Sequence, residues 1–159
     1  MNNECLKHLV FSLCDENYAV STNLIREIVI MTEISQVPKA PPFIKGVINL
    51  RGKIIPVVDL RIKFGLSEKA YDNRTCVIII EIKEEDRNRL VGVIVDSVDD
   101  VVSITNEDIS AMPNFNNDYQ IVFLKGMLKI KEKITWIINL DKIISNDELV
   151  ILNKFEEDK

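Results

Sequence analysis

Few residues in this chain are of a kind that could carry out proton transfer or covalent chemistry. His8 is the sole histidine, so a Ser-His-Asp relay or a zinc site would have to rest on it alone. It stands at the threshold of the first strand, where an imidazole is expected as a surface or edge residue. Asp99 and Asp100 are adjacent acids that could in principle share general acid–base work. Neighbouring strand residues point to opposite faces, however, so a solvated turn or strand end is the expected setting. Cys5, Cys14 and Cys76 are an odd set without C-x-x-C spacing, which fits reduced thiols in a cytosol better than a disulfide framework. The five glycines are scattered and build no phosphate-cradling loop. The expectation is no catalytic residue, no metal and no cofactor.

What remains is recognition. Asn49-Leu50-Arg51-Gly52 sets an arginine beside a turn glycine between two apolar runs, so a rigid hairpin would present its guanidinium fork for pairing or binding. The elements that must hold this hairpin are set by composition. With 159 residues, 47% of them hydrophobic and 28% charged, the chain is one domain by length, or two small lobes on one core. It is long enough to fold without a metal or disulfide. Twenty-four Ile and 16 Val stand against 13 Leu and 4 Ala, and β-branched side chains favour pleated strands over helix. A net charge of −5 supplies no positive field for phosphate backbones, and 6% aromatics is poor for a base-stacking small barrel. The longest strictly apolar run is residues 76–80, far below the ~20 needed to span a bilayer. Residues 1–7 have no secretory pattern. A cytoplasmic protein that inserts in no membrane and binds no nucleic acid is expected.

Strands are expected from Leu9-Phe11-Leu13, at 18–21 after an Asp15-Glu16-Asn17 turn, and from 27 to 31 after a short turn capped by Thr22 and Asn23. Pro38, Pro41 and Pro42 make 36–43 a structured loop. Two strands follow, 46–50 and 54–58, joined by the Arg51-Gly52-Lys53 turn. Residues 59–64 read equally as strand or as a short helix stopped by Gly65. Residues 74–83 and 89–95 form a hairpin, Thr105 and Asp108 a capping box, and 119–130 and 134–140 further strands. A helical turn at 141–145 and an amphipathic helix over 147–155 close the chain.

A self-match lies 80 residues apart. Gly46-x-Ile-x-Leu-Arg-x-Lys-Ile-x-x-Val-Val-Asp-Leu60 falls over Gly126-x-Leu-x-Ile-Lys-x-Lys-Ile-x-x-Ile-Ile-Asn-Leu140, and Ile25-Arg-Glu-Ile28 echoes Val98-Asp-Asp-Val101 at another offset. Such a repeat predicts two related small β-barrels, with Ile48, Ile54 and Val57 facing one core and Leu128, Ile134 and Ile137 an equivalent one. The second copy has Lys131-Glu132 where the first has Arg51-Gly52, so barrel geometry alone does not demand Arg-Gly.

The stretch from Phe43 through Gly46-Val-Ile-Asn-Leu-Arg-Gly-Lys-Ile-Ile-Pro-Val-Val-Asp59-Leu60-Arg61 to Phe64 resembles the signature of the chemotaxis coupling family CheW. Val10-Phe11 with Tyr18-Ala19-Val20, Arg26-Glu27-Ile28, Val37-Pro38 and the 90–101 segment support it, over about residues 9–145. Cys76 departs mildly from the aliphatic residue usual there. The resemblance implies a mainly β fold, two small SH3-like five-stranded β-barrels packed around a shared hydrophobic core with short helices. The first barrel is expected at roughly 15–71, the second at roughly 72–145 with strand exchange left open, and a C-terminal helix or tail at 146–159. It implies a non-catalytic adaptor joining the regulatory domain of the histidine kinase CheA to the cytoplasmic tip of methyl-accepting chemotaxis receptors, recruited to receptor arrays at the inner face of the membrane. Receptor contact maps by resemblance to Ile25, Glu27, Gly46, Arg51, Gly52 and Asp59, with Val77 and Gly92 nearby in the groove between barrels. Kinase contact is expected at exposed apolar strand edges that the sequence assigns to no residue. Glu27 and Arg51, of opposite charge, are expected to pair.

Overall fold

The computed structural model describes residues 5–84, 87–110, 123–144, 148 and 150. Among them the chain forms β1 (Leu6–Leu13), β2 (Glu16–Ser21), β3 (Ile25–Ile30), β4 (Ile44–Leu50), β5 (Lys53–Asp59), a one-turn helix α1 (Leu60–Lys63), β6 (Cys76–Lys83), β7 (Asn88–Val95), β8 (Ser97–Ile104), β9 (Leu124–Ile130) and β10 (Lys133–Ile138). Three two-residue hairpin turns reverse the chain with left-handed backbone, at Cys14-Asp15, Arg51-Gly52 and Lys131-Glu132, the twist that matches right-handed strands. The first turn is therefore shorter than expected: Glu16 and Asn17 already pair with Leu13 and Ser12. Residues 59–64 resolve as helix because the Asp59 carboxylate accepts the Arg61 N–H at 2.9 Å, capping α1.

The strands make two five-stranded sheets, ordered β8-β1-β2-β10-β9 and β3-β6-β7-β5-β4, here called the β1 barrel and the β4 barrel. Each holds one parallel pair, β2 with β10 and β5 with β7. The apolar interior has three layers. Ile48, Ile55, Val57, Val77, Ile79 and Ile94 fill the β4 barrel, while Val10, Ala19, Ile104 and Ile137 fill the β1 barrel. Between them a larger shared core joins Leu9, Phe11 and Leu13 to Val58, Ile78, Ile80, Val91 and Val93. A strand buried on both faces reads as an unbroken apolar run, which accounts for residues 76–80.

The two sheets have the same plan with the chain cut at a different point. β3-β4-β5-β6-β7 corresponds in order to β8-β9-β10-β1-β2. Bulges fall at matching places, around Arg26 and Asp99 and around Lys45 and Lys125. So do the bridges Ser35–Val47 and Ser110–Met127. Even the cross-strand contact beside the first bulge is repeated, Arg26 with Glu81 in one barrel and the Ser12 hydroxyl with Asp99 in the other. Both sequence echoes are thus equivalent positions.

Several expectations are corrected. A division at 71/72 does not follow the sheets: β6 and β7 complete the β4 barrel, and the β1–β2 hairpin pairs with the later strands β8 and β10, because the chain opens with the two strands that its second repeat needs. Ile54 and Ile134 face solvent at 44% and 45% exposure; the matched pair is equivalent but does not enter the cores. His8 is not an edge residue. It is 3% exposed in β1, between β2 and β8, with Nδ1 donating to the Leu6 carbonyl at 3.0 Å. Asp99 and Asp100 lie in the middle of β8, where the bulge leaves both exposed. Residues 119–122 of the expected strand and most of the 147–155 helix lie outside the described residues, although Glu148 and Val150 are helical.

Candidate functional site

The Arg51 hairpin is fixed from below. Register pairs Leu50 with Lys53, and the Asn49 side-chain oxygen accepts the Gly52 N–H at 2.9 Å, closing the turn. Lys131 and Glu132 adopt the same left-handed turn without glycine. Arg51 is the exposed apex, its side chain 70% accessible. Its guanidinium Nη2 donates to the Glu27 carboxylate on β3, so the expected pair forms. The ion pair bridges β3 and the β4–β5 turn, elements at the two edges of the β4 sheet.

Glu27 reaches that position because of the bulge. In a regular strand Arg26 and Glu27 would point to opposite faces; the extra residue at Arg26 brings both to one groove. Arg26 donates to Glu81 on β6 at 2.6 Å. The groove, of about 360 Å³, has an apolar floor of Leu50, Ile55, Ile79 and Leu90 under a rim of these four charges and Lys53. The Arg51 hydrogen bond holds the Glu27 carboxyl below its usual range, and the Arg26 hydrogen bond does the same for Glu81. Both arginines are in turn pushed up. All four groups stay ionised near neutrality, which suits a charged recognition surface.

The other expected site residues are placed differently. Gly52 is exposed at the turn and Ile25 is half-buried against the shared core. Gly46 is buried, and a Cβ there would lie 2.4 Å from the Ser35 carbonyl oxygen, so glycine permits the Ser35–Val47 bridge. Val77 and Gly92 are inside the β4 barrel rather than in a groove between barrels, since β6 and β7 are its central strands. A Cβ on Gly92 would come within 2.7 Å of methyls on Val57 and Val77. Asp59 is buried, accepting the Tyr71 hydroxyl at 2.8 Å besides capping α1. Burial, then that hydrogen bond, pushes the Tyr71 phenol up. Gly46, Asp59, Val77 and Gly92, with the half-buried Ile25, shape the barrel that carries the hairpin; Glu27, Arg51 and Gly52 are the ones on its surface.

Sequence reading missed a connection between barrels. Arg61 donates from Nε and Nη2 to the two oxygens of Asp96 at 2.7 and 2.5 Å, and from Nη1 to the Ser67 carbonyl at 2.8 Å. Asp96 also accepts the Cys14 N–H at 2.9 Å and donates its own N–H to the Ser12 carbonyl. One carboxylate thereby ties the β1–β2 turn to α1 below β5. Burial alone would raise the Asp96 pKa, but the Arg61 fork and the Cys14 N–H outweigh it and hold the group below its ordinary value. Arg61 and Asp96 both lay within the segments quoted, but only tertiary geometry joins them.

Among the described residues no group of three or more His, Cys, Asp or Glu could hold a metal ion. No described helix is long and apolar enough to cross a membrane. Residues 7–148 match the family model of the CheW-like domain. The chain is 34% identical over 145 residues to the chemotaxis protein CheW of Klebsiella aerogenes, covering 91% of this chain and 85% of that one. It is 30% identical to the CheW of Bacillus subtilis, over 89% and 88% of the two chains. The crystal structure of the scaffolding protein TtCheW from Thermoanaerobacter tengcongensis matches with a TM-score of 0.78 and 34% identity, over 91% of this chain and 96% of that one. With the double barrel of ten strands among the described residues and its repeated plan, these similarities place the chain in the CheW-like family.

Proposed function

We propose that this chain is a non-catalytic chemotaxis adaptor that couples methyl-accepting receptors to the histidine kinase CheA at the inner face of the membrane. The observation that carries the reading is the Arg51–Glu27 pair, held on a buttressed hairpin above an apolar-floored groove. Receptor contact is made by Glu27, Arg51 and Gly52. Ile25, Gly46, Asp59, Val77 and Gly92 affect it through the shape of the β4 barrel. A fork already pointed by its carboxylate loses less entropy when a partner docks. The kinase regulatory domain binds elsewhere, at exposed apolar strand edges. Co-sedimentation with receptor-bearing membranes, with and without kinase, tests this: the wild type pellets with both, and Arg51→Ala loses receptor-dependent pelleting while still binding kinase. Normal receptor binding by Arg51→Ala in a folded protein contradicts the site.

A further inference from the structure

The rim of the Arg51 groove carries three cations and two carboxylates, and two of the cations are matched, Arg51 by Glu27 and Arg26 by Glu81. Lys53 is the third. It is exposed, and among the described residues no hydrogen bond or ion pair engages it. It acts on Glu81 only through the longer-range field, and that carboxylate is already bound by Arg26. The repeat supplies an internal control. Lys133 occupies the same hairpin position, pairing with Ile130 as Lys53 pairs with Leu50, and its Nζ donates to the Asp15 carbonyl of the β1–β2 turn. In the β4 barrel the connection equivalent to that turn is the longer stretch 84–87, and among the described residues Lys53 makes no such bond. The same lysine is thus structural in one barrel and available in the other. Beneath Lys53 the floor is apolar, Leu50 and Leu90 included, whereas its counterpart in the β1 barrel has Thr135 where the β4 barrel has Ile55.

We infer that Lys53 is a specificity-determining residue of the groove, and that the receptor segment docking there presents an apolar side chain with a carboxylate beside it. The apolar group would cover the floor while the carboxylate meets the one rim charge that has no internal partner among the described residues. With three cations against two carboxylates, the rim carries one surplus positive charge, which favours such a partner over a neutral or basic one by local complementarity. This rests on the receptor reading of the groove given above.

The test is binding of a soluble receptor cytoplasmic fragment to the full chain at low and moderate salt, with melting curves to confirm folding. Lys53→Glu should bind about tenfold more weakly, with Lys53→Arg within about twofold of the wild type and Lys53→Gln less sensitive to salt. Lys133→Glu, the equivalent change in the other barrel, should leave fragment binding unchanged. If Lys53→Glu binds like the wild type while Arg51→Ala is weakened, the Lys53 inference is overturned and the groove assignment stands. If both bind normally, the groove assignment itself fails. Loss of kinase binding rather than receptor binding in Lys53→Glu also overturns the inference.

Discussion

At the scale of single residues, charge and space do different jobs around one hairpin. Arg51 is exposed and Glu27 partly so, and ion pairs at a wet surface contribute little to folding. Arg51→Ala should therefore leave the melting temperature nearly unchanged while weakening receptor binding. Arg51→Glu should be worse, because it sets two carboxylates side by side; calorimetry and a binding titration on the same samples check both. Gly92 is the opposite case. Its missing side chain is the space that the Val57 and Val77 methyls occupy at 2.7 Å from where a Cβ would stand. Gly92→Ala should destabilise by about 1–3 kcal/mol through overpacking. Val77→Ala in the same chain should relieve part of that cost, a coupling that a double-mutant cycle in denaturant reads directly. Any coupling defect of Gly92→Ala should then follow stability, unlike that of Arg51→Ala. The turn glycine beside it made Arg51 legible in the sequence, whereas Glu27 was reached through the family resemblance, its opposite charge then suggesting the pair. Spacing along the chain carries no record of the van der Waals contact that makes Gly92 and Val77 interior.

At the scale of elements, the Arg61–Asp96 fork holds α1 against the β1–β2 turn. Asp96 has a depressed pKa in the folded chain, so its contribution is present above the unfolded aspartate value near ~4 and is lost as pH falls through the folded value. Asp96→Asn should cost about 1–2 kcal/mol at neutral pH once solvent screening is allowed for. It should also flatten the acid limb of the stability–pH curve, measured by urea unfolding from pH 7 downward. The β4–β5 hairpin could be read from its residues almost to its boundaries because a turn glycine separates two apolar runs. β8 could not, since its bulge at Asp99 breaks the alternation that marks a strand. Ile54 and Ile134 misled for a related reason: an apolar residue beside a hairpin turn looks like core until the register shows which face it occupies.

For the whole molecule, the 80-residue echo disclosed a repeated unit, but one-dimensional order hid that the repeat is cut within a barrel, so that β1 and β2 complete strands near the other end of the chain. The shared core takes side chains from both barrels, and neither can unfold without exposing it. A single cooperative transition is therefore expected. Fluorescence of Trp136, the only tryptophan and a residue of β10, should follow the same denaturant midpoint as far-ultraviolet circular dichroism of both barrels. Two separated midpoints would show that the barrels are independent units. On the adaptor reading proposed above, the double barrel offers one surface to a receptor and others to a kinase. The direct measurement is the autophosphorylation rate of CheA in receptor-bearing vesicles, with and without receptor ligand, as this chain is titrated in. The rate should become ligand-responsive only when the wild-type chain is present, and Arg51→Glu should abolish the response while still binding kinase. A kinase that answers to ligand equally well without the chain, or with Arg51→Glu, would contradict the adaptor account.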